Sequence, residues 1–171
     1  MRLLGLDPGL LRTGWGIIEA EGNLVRFRAA GVVVSDAGDP LATRLDAIYR
    51  GLQEVVALHR PDAAAIEETV VNVNAGSSLK LGQARGVAML AAAHAGLPVT
   101  EYASKTVKRS VVGTGAAQKR QVAMMVRTLL PGSGEVGGDA ADALAVALCH
   151  AHHDATRRRL ASAYAAAAGG G

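Results

Sequence analysis

The chain has 171 residues, a formal net charge of +3, half its residues hydrophobic and 19% charged, which is enough for one domain with a substantial core and excludes an intrinsically disordered chain. Its single cysteine, Cys149, excludes an intrachain disulfide and a cysteine-based zinc site. No apolar stretch is long and clean enough to span a bilayer, and the start lacks the basic-then-apolar pattern of a secretory leader, so a reducing, cytoplasmic location is expected.

Aromatic residues make up only 3% of the chain, so the core must be built from Ala, Val, Leu and Ile. Residues 2–7 (RLLGLD) read as a short buried strand that ends at Asp7-Pro8-Gly9, a turn-forming sequence. Residues 13–20 (TGWGIIEA) and 24–34 (LVRFRAAGVVV) read as two more strands, divided by Glu21-Gly22-Asn23. Such short polar breaks predict an antiparallel meander. Asp39-Pro40 predicts a helix start, with an acid at the N-cap and Pro at the first helical position. Leu41, Leu45, Ile48, Leu52, Val55 and Val56 then recur at helical spacing to about His59, and Pro61 stops the run.

Residues 63–68 (AAAIEE) predict a fourth strand, followed by the polar loop NVNAGSS. A helix over about 77–95 is rich in small residues, among them Gly82, Ala84, Gly86 and Ala88, and Gly96 and Pro98 open a fifth strand over 98–102. Two shorter helices are expected around 104–111 and 117–129, and a last one over about 139–156. The order implies a mixed sheet with helices on its faces, an α/β layer architecture in one domain over 1–156. The low-complexity end, ASAYAAAAGGG, places a disordered tail at 157–171.

Four acids stand at element ends. Asp7 closes the first strand, Glu67 the fourth, and Asp139 and Asp142 open the last helix three residues apart, on one helix face. Each alone has an ordinary use: a turn former, a strand-end solvent residue, a helix N-cap. Together they mark the carboxyl ends of two adjacent parallel strands, where α/β sheets bind ligands. Four converging carboxylates repel one another without a counter-ion, and hard oxygen donors suit Mg²⁺ or Mn²⁺. Two such ions can clamp a phosphodiester undergoing in-line displacement. Glu68 beside Glu67 is an ambiguity: alternation turns only one of them inward, and spacing does not say which.

Residues 76–130 carry eight basic side chains (Lys80, Arg85, Lys105, Lys108, Arg109, Lys119, Arg120 and Arg127) against one acid, Glu101, so this segment is +7 and the rest of the +3 chain is −4. A basic block beside an acidic remainder fits a polyanion held against carboxylates. Lys108, Lys119, Arg109, Arg120, Lys80 and Arg85 are the candidate DNA-binding cations. Phosphate contacts of this kind position a duplex and weaken with salt.

The segments GLDPGLLRTGWGII, AIEE, LKLGQARGVA, VKRSVVGTGAAQK and DAADALAVAL, in order from about residue 2 to 153, resemble the RuvC family of Holliday-junction resolvases. The resemblance implies a ribonuclease H-like fold with a five-stranded mixed sheet and a homodimer. It implies paired symmetric nicking of a four-way DNA junction with divalent metal, in recombination and repair. It assigns the catalytic, metal-binding acids to Asp7, Glu67, Asp139 and Asp142, favouring Glu67 over Glu68, and maps the flanking basic residues onto Lys108 and Lys119. The helix holding LKLGQARGVAMLAAA resembles the family's dimer helix, and a complex with the branch-migration helicase is implied.

One departure is that the stretch after the glutamate, TVVNVNAG, offers Val70 and Val71 where family members often carry an aromatic; an aliphatic wedge can enter a base step but cannot stack. The nearest alternatives are a related nuclease acting on RNA or other branched DNA, and a non-catalytic junction-binding protein. An actin-like ATP-binding module needs two such lobes, more than this length supplies. His150, His152 and His153 beside Cys149 read as cations near a helix C-terminus rather than as a metal site. The run Arg157-Arg158-Arg159 is given no role.

Overall fold

A computed structural model describes residues 1–68 and 75–168. Val70 and Val71 lie outside the described residues. The elements in chain order are β1 (Arg2–Asp7), β2 (Arg12–Glu21), β3 (Leu24–Val34), α1 (Leu41–His59), β4 (Ala63–Glu67), α2 (Ala75–His94), β5 (Val99–Tyr102), α3 (Ser104–Val112), α4 (Lys119–Leu129) and α5 (Gly138–Ala168), with a short 3-10 turn over Pro131–Ser133. The five strands form one sheet in the order β3-β2-β1-β4-β5. β1, β2 and β3 pair antiparallel, and β4 pairs parallel with both β1 and β5. This is the expected meander followed by parallel strands, with β1 and β4 adjacent in the interior.

The two faces of the sheet carry separate cores. Leu3, Ile18, Ala63 and Ala65 pack with residues of α3, α4 and α5, whereas Leu4, Leu6, Ile17, Ala64 and Ile66 pack with α1 and α2. Alternate side chains of a strand face opposite ways, and both faces are covered, so β1 and β4 are apolar almost throughout. The scarcity of aromatics is met by close approach. Residues 143–148 of α5 are all fully buried or nearly so, and the helix lies over glycines of β1 and β2. A Cβ built on Gly5 would come within 2.7 Å of the Ala147 amide nitrogen, and one on Gly16 within 2.7 Å of Leu144 Cδ2. Gly5 and Gly16 are direct partners in the β1–β2 register. The glycines thus form a floor on which the helix sits closer than any side chain would allow.

Two expected boundaries differ. α1 begins at Leu41 with Pro40 at its N-cap and no side-chain cap. Asp39 belongs instead to the preceding turn, donating its N–H to the Asp36 carbonyl at 3.3 Å. α5 continues to Ala168, past the stop expected near residue 156 and into the stretch assigned to a disordered tail. Alanine is the strongest helix former, and no Gly or Pro interrupts the sequence before residue 169. His150, His152 and His153 therefore sit in mid-helix, not at a helix C-terminus. His150 is buried and its Nδ1 lies 3.0 Å from the Tyr102 hydroxyl, while His152 Nδ1 lies 3.1 Å from Ser110 Oγ. Burial holds His150 below the usual histidine range. These rings join α5 to β5 and α3.

Candidate active site

Asp7 and Glu67 are the last residues of β1 and β4. The parallel register pairs Leu6 with Ile66, so the two carboxylates emerge side by side at the same sheet edge. Strand alternation settles which glutamate faces inward. Ala63 and Ala65 lie on the α5 side of the sheet, so Glu67 does too, with Asp7 beside it. Glu68 lies beyond the strand end, exposed, with its N–H donating to the Tyr102 carbonyl at 2.9 Å.

α5 supplies the other two acids. Gly14 is the register partner of Asp7 on β2, and a Cβ there would stand 2.5 Å from the carbonyl carbon of Asp139. The first turn of α5 is therefore seated directly over the strand position next to Asp7. Asp139 and Asp142 are both half-buried there. The four predicted acids, from three separate elements, are brought to one end of the sheet.

Their charges act on one another. Asp7 is pushed up to about 7, by burial first and then by Asp142 and Glu67, against the opposing pull of Lys119. Glu67 is also raised, chiefly by burial. A hydrogen bond from Ser104, the first residue of α3, opposes this, and Asp142 adds to it. Lys119 Nζ pairs with Asp142 Oδ2 at 2.8 Å and is itself held above the usual lysine range by that contact. Arg12 Nε donates to Asp139 Oδ2 at 2.6 Å. Among the described residues, no three Asp, Glu, His or Cys side chains are already gathered around a single point. The α5 acids are held by cations, and the strand acids carry the electrostatic strain.

The six candidate DNA-binding cations separate in the structure. Lys108 and Lys119 act on the carboxylates, both lowering Glu67. Arg85 is turned inward: its Nε donates to the Glu67 carbonyl at 3.2 Å and its guanidinium pairs with Glu101. It braces α2 against β4 and β5 and is not available to phosphate in this arrangement. Arg109 lies in a cleft between α3 and α5 beside Ser110 and His152. Arg120 lines the outer surface of α4 with Gln121, Met124 and Arg127, and Lys80 is exposed on α2. Sequence reasoning missed Arg12 and Ser104. The hairpin register that pairs Asp7 with Gly14 holds the clue to Arg12, which stands two residues nearer the turn. The pairing of Glu67 with Tyr102 holds the clue to Ser104.

A hard-oxygen donor set suits a divalent cation such as Mg²⁺ or Mn²⁺. Asp7, Glu67, Asp139 and Asp142 at one end of the sheet are such a set, and the charges of the other three add to the burial that raises Asp7, so the residues present fit the group.

Residues 3–150 match the family model for crossover junction endodeoxyribonuclease RuvC. The chain is 59% identical over 165 residues to the crossover junction endodeoxyribonuclease RuvC of Paramagnetospirillum magneticum, covering 96% of this chain and 99% of that one. It is 58% identical to the protein of the same name from Acidiphilium cryptum, covering 95% and 97%. A solved structure of T. thermophilus RuvC in complex with a Holliday junction substrate superposes with a TM-score of 0.84 at 35% identity, covering 91% of this chain and 96% of that one. The yeast mitochondrial Holliday junction resolvase shares the fold, with a TM-score of 0.61 at 13% identity. With four acids at one sheet edge and these matches over nearly its whole length, the chain belongs to the RuvC family of crossover junction endodeoxyribonucleases.

Proposed function

We propose that this endonuclease resolves four-way DNA junctions by paired nicks on two strands of like polarity, each cut made at the Asp7, Glu67, Asp139 and Asp142 site. The observation that carries the reading is the convergence of these four carboxylates at the carboxyl end of β1 and β4, with Asp7 driven up to about 7 by burial and by its neighbours. Divalent cations, Mg²⁺ or Mn²⁺ and two per site, are the counter-ions that such a set takes. Bound there, they supply Lewis-acid stabilisation of phosphoryl charge and activation of the attacking water. The chain's own residues do the rest. The glycine floor fixes the first turn of α5, and Ser104 orients Glu67. Lys108 and Lys119 place positive charge where the displaced oxygen and the phosphoryl group become more negative.

Two equivalent cuts follow from two-fold symmetry, one site per subunit. The exposed face of α2 supports a homodimer. Leu79 and Leu90 are 66% and 59% exposed, and Gly82 and Gly86 between them have nothing within 4 Å of an added Cβ. These four residues form one stripe at helical spacing, bare of side chains at its centre. Leu90→Glu is expected to weaken self-association by about tenfold or more, read by light scattering, with the fold intact because the position is exposed. A dimer of unchanged affinity would move the interface elsewhere.

The cations of α3 and α4 hold the duplex backbone. Lys119→Ala is expected to lower the steepness of the salt dependence of junction binding by about one phosphate contact. An unchanged slope would remove Lys119 from the DNA face. Action in the bacterial cytoplasm, beside a branch-migration helicase, completes the proposal. The alternative, a nuclease acting on RNA or on other branched DNA, predicts comparable cleavage of RNA–DNA hybrids. Cleavage confined to the four-way junction, with duplex and hybrid left intact, is expected.

A further inference from the structure

The two acids of α5 and the two acids of the strands are treated differently by the protein. Asp139 is held by Arg12 at 2.6 Å and Asp142 by Lys119 at 2.8 Å. Arg12 is not among the cations of the basic segment. It opens β2, from the antiparallel part of the sheet, and its side chain is 49% exposed. The backbone of Asp139 packs closely over Gly14, where an added Cβ would stand 2.5 Å from its carbonyl carbon, and its short side chain gives the carboxylate little reach. The guanidinium, on a long and half-exposed stem, is the movable partner.

We infer that Arg12 is a positioning residue that couples cation loading to DNA binding. It holds Asp139 while no cation is bound, and it transfers to a DNA phosphate when a cation takes that carboxylate. The inference rests on the reading of the four carboxylates as a cation site. A guanidinium binds carboxylate and phosphate oxygens with the same forked geometry. An ion pair between half-exposed groups is weak enough to be exchanged. Cation and guanidinium compete for Asp139, so Arg12 lowers cation affinity in the absence of DNA. A phosphate that draws Arg12 away removes the competitor, so the junction raises cation affinity. By reciprocity the cation raises junction affinity by the same factor.

The test is a set of binding constants that needs no turnover. Mn²⁺ affinity is measured by calorimetry on the full-length protein, alone and with a four-way junction carrying non-cleavable linkages. Junction affinity is measured with and without Ca²⁺. Wild type should bind Mn²⁺ more tightly when the junction is present. Arg12→Gln should bind Mn²⁺ more tightly than wild type without DNA, by about twofold to fivefold. It should also bind the junction more weakly in Ca²⁺, so that the coupling factor falls towards one. Arg12→Lys, which keeps the charge but not the fork, should restore part of the coupling.

If Arg12→Gln lowers thermal stability but leaves cation affinity and coupling at wild-type values, Arg12 is only a structural brace and the inference is overturned. If wild type itself binds no Mn²⁺, the cation-site reading fails, and the inference fails with it by a separate and recognisable result.

Discussion

Asp7→Asn is expected to abolish junction cleavage and, at the same time, to make the cation-free protein more stable. The loss follows from the site. Asp7 is the carboxylate on which the charges of the other three all act, and removing its charge withdraws several kcal/mol of cation-mediated stabilisation, about a thousandfold or more in rate. The gain follows from its electrostatics. Asp7 stands at about 7 in the folded chain against 3.8 when unperturbed, raised by burial and by Asp142 and Glu67. The folded state therefore holds its proton more tightly than the unfolded state does. Stability from this group is fully present below pH 3.8, falls as pH rises, and is lost once pH passes about 7.

Asparagine carries no such charge. At pH 8 without divalent cations the variant should be more stable by roughly 4 kcal/mol, and at pH 4 by only about 0.5 kcal/mol. Added Mg²⁺ should raise the melting temperature of wild type and leave that of Asp7→Asn nearly unmoved. Thermal unfolding at the two pH values, with and without Mg²⁺, checks all of this. A variant less stable than wild type at pH 8 would show that Asp7 serves the fold and not the site.

Gly14→Ala is the second large effect, and its sign on stability is opposite. The new Cβ would stand 2.5 Å from the Asp139 carbonyl carbon, and the obstacle is backbone, which cannot rotate aside. Either β2 or the first turn of α5 must move. Overpacking against fixed backbone costs about 3 kcal/mol or more. The displacement also carries Asp139 and Asp142 away from Asp7, and a shift of about 1 Å in a catalytic group is worth about a hundredfold in rate. The comparison is Gly132→Ala, away from the acids and from α2, where the added methyl comes no closer than 3.7 Å, to Phe27 Cβ. That change should leave stability level or raise it by about 1 kcal/mol through the lower entropy of the unfolded chain. Denaturant titration and cleavage rates of the two variants separate the cases. A Gly14→Ala protein of wild-type stability and rate would mean that α5 is not held by contact with this glycine.

Much of this site is legible in the sequence because strands and helices end where their chemistry is. The run RLLGLD and the run AAAIE are both short, apolar and closed by an acid, and parallel strands in the interior of a sheet bring such ends together. DAADALAVAL shows a helix with acids at its first turn and an apolar body. Spacing alone left Glu67 and Glu68 open, because it does not say which face of β4 meets α5. The burial of Ala63 and Ala65 against that helix decides it.

What stayed hidden depends on contacts between elements distant in the chain. Nothing in the sequence marks Gly5, Gly14 and Gly16 out from other glycines, and only the docked helix shows that they make room for it. Arg85 counts as one more cation in a basic segment until its guanidinium is seen on Glu101 and on the Glu67 carbonyl. Arg12 lies outside that segment and so escapes a charge count altogether, although it touches Asp139.

Mapping both cut sites on a synthetic four-way junction, with the purified protein and Mg²⁺ or Mn²⁺, is the most direct measurement. Two nicks at symmetry-related positions on strands of like polarity, yielding two nicked duplexes, are expected. Nicks at unrelated positions on the two strands, or cleavage that persists in Asp7→Asn, would contradict a paired, carboxylate-based resolution of the junction.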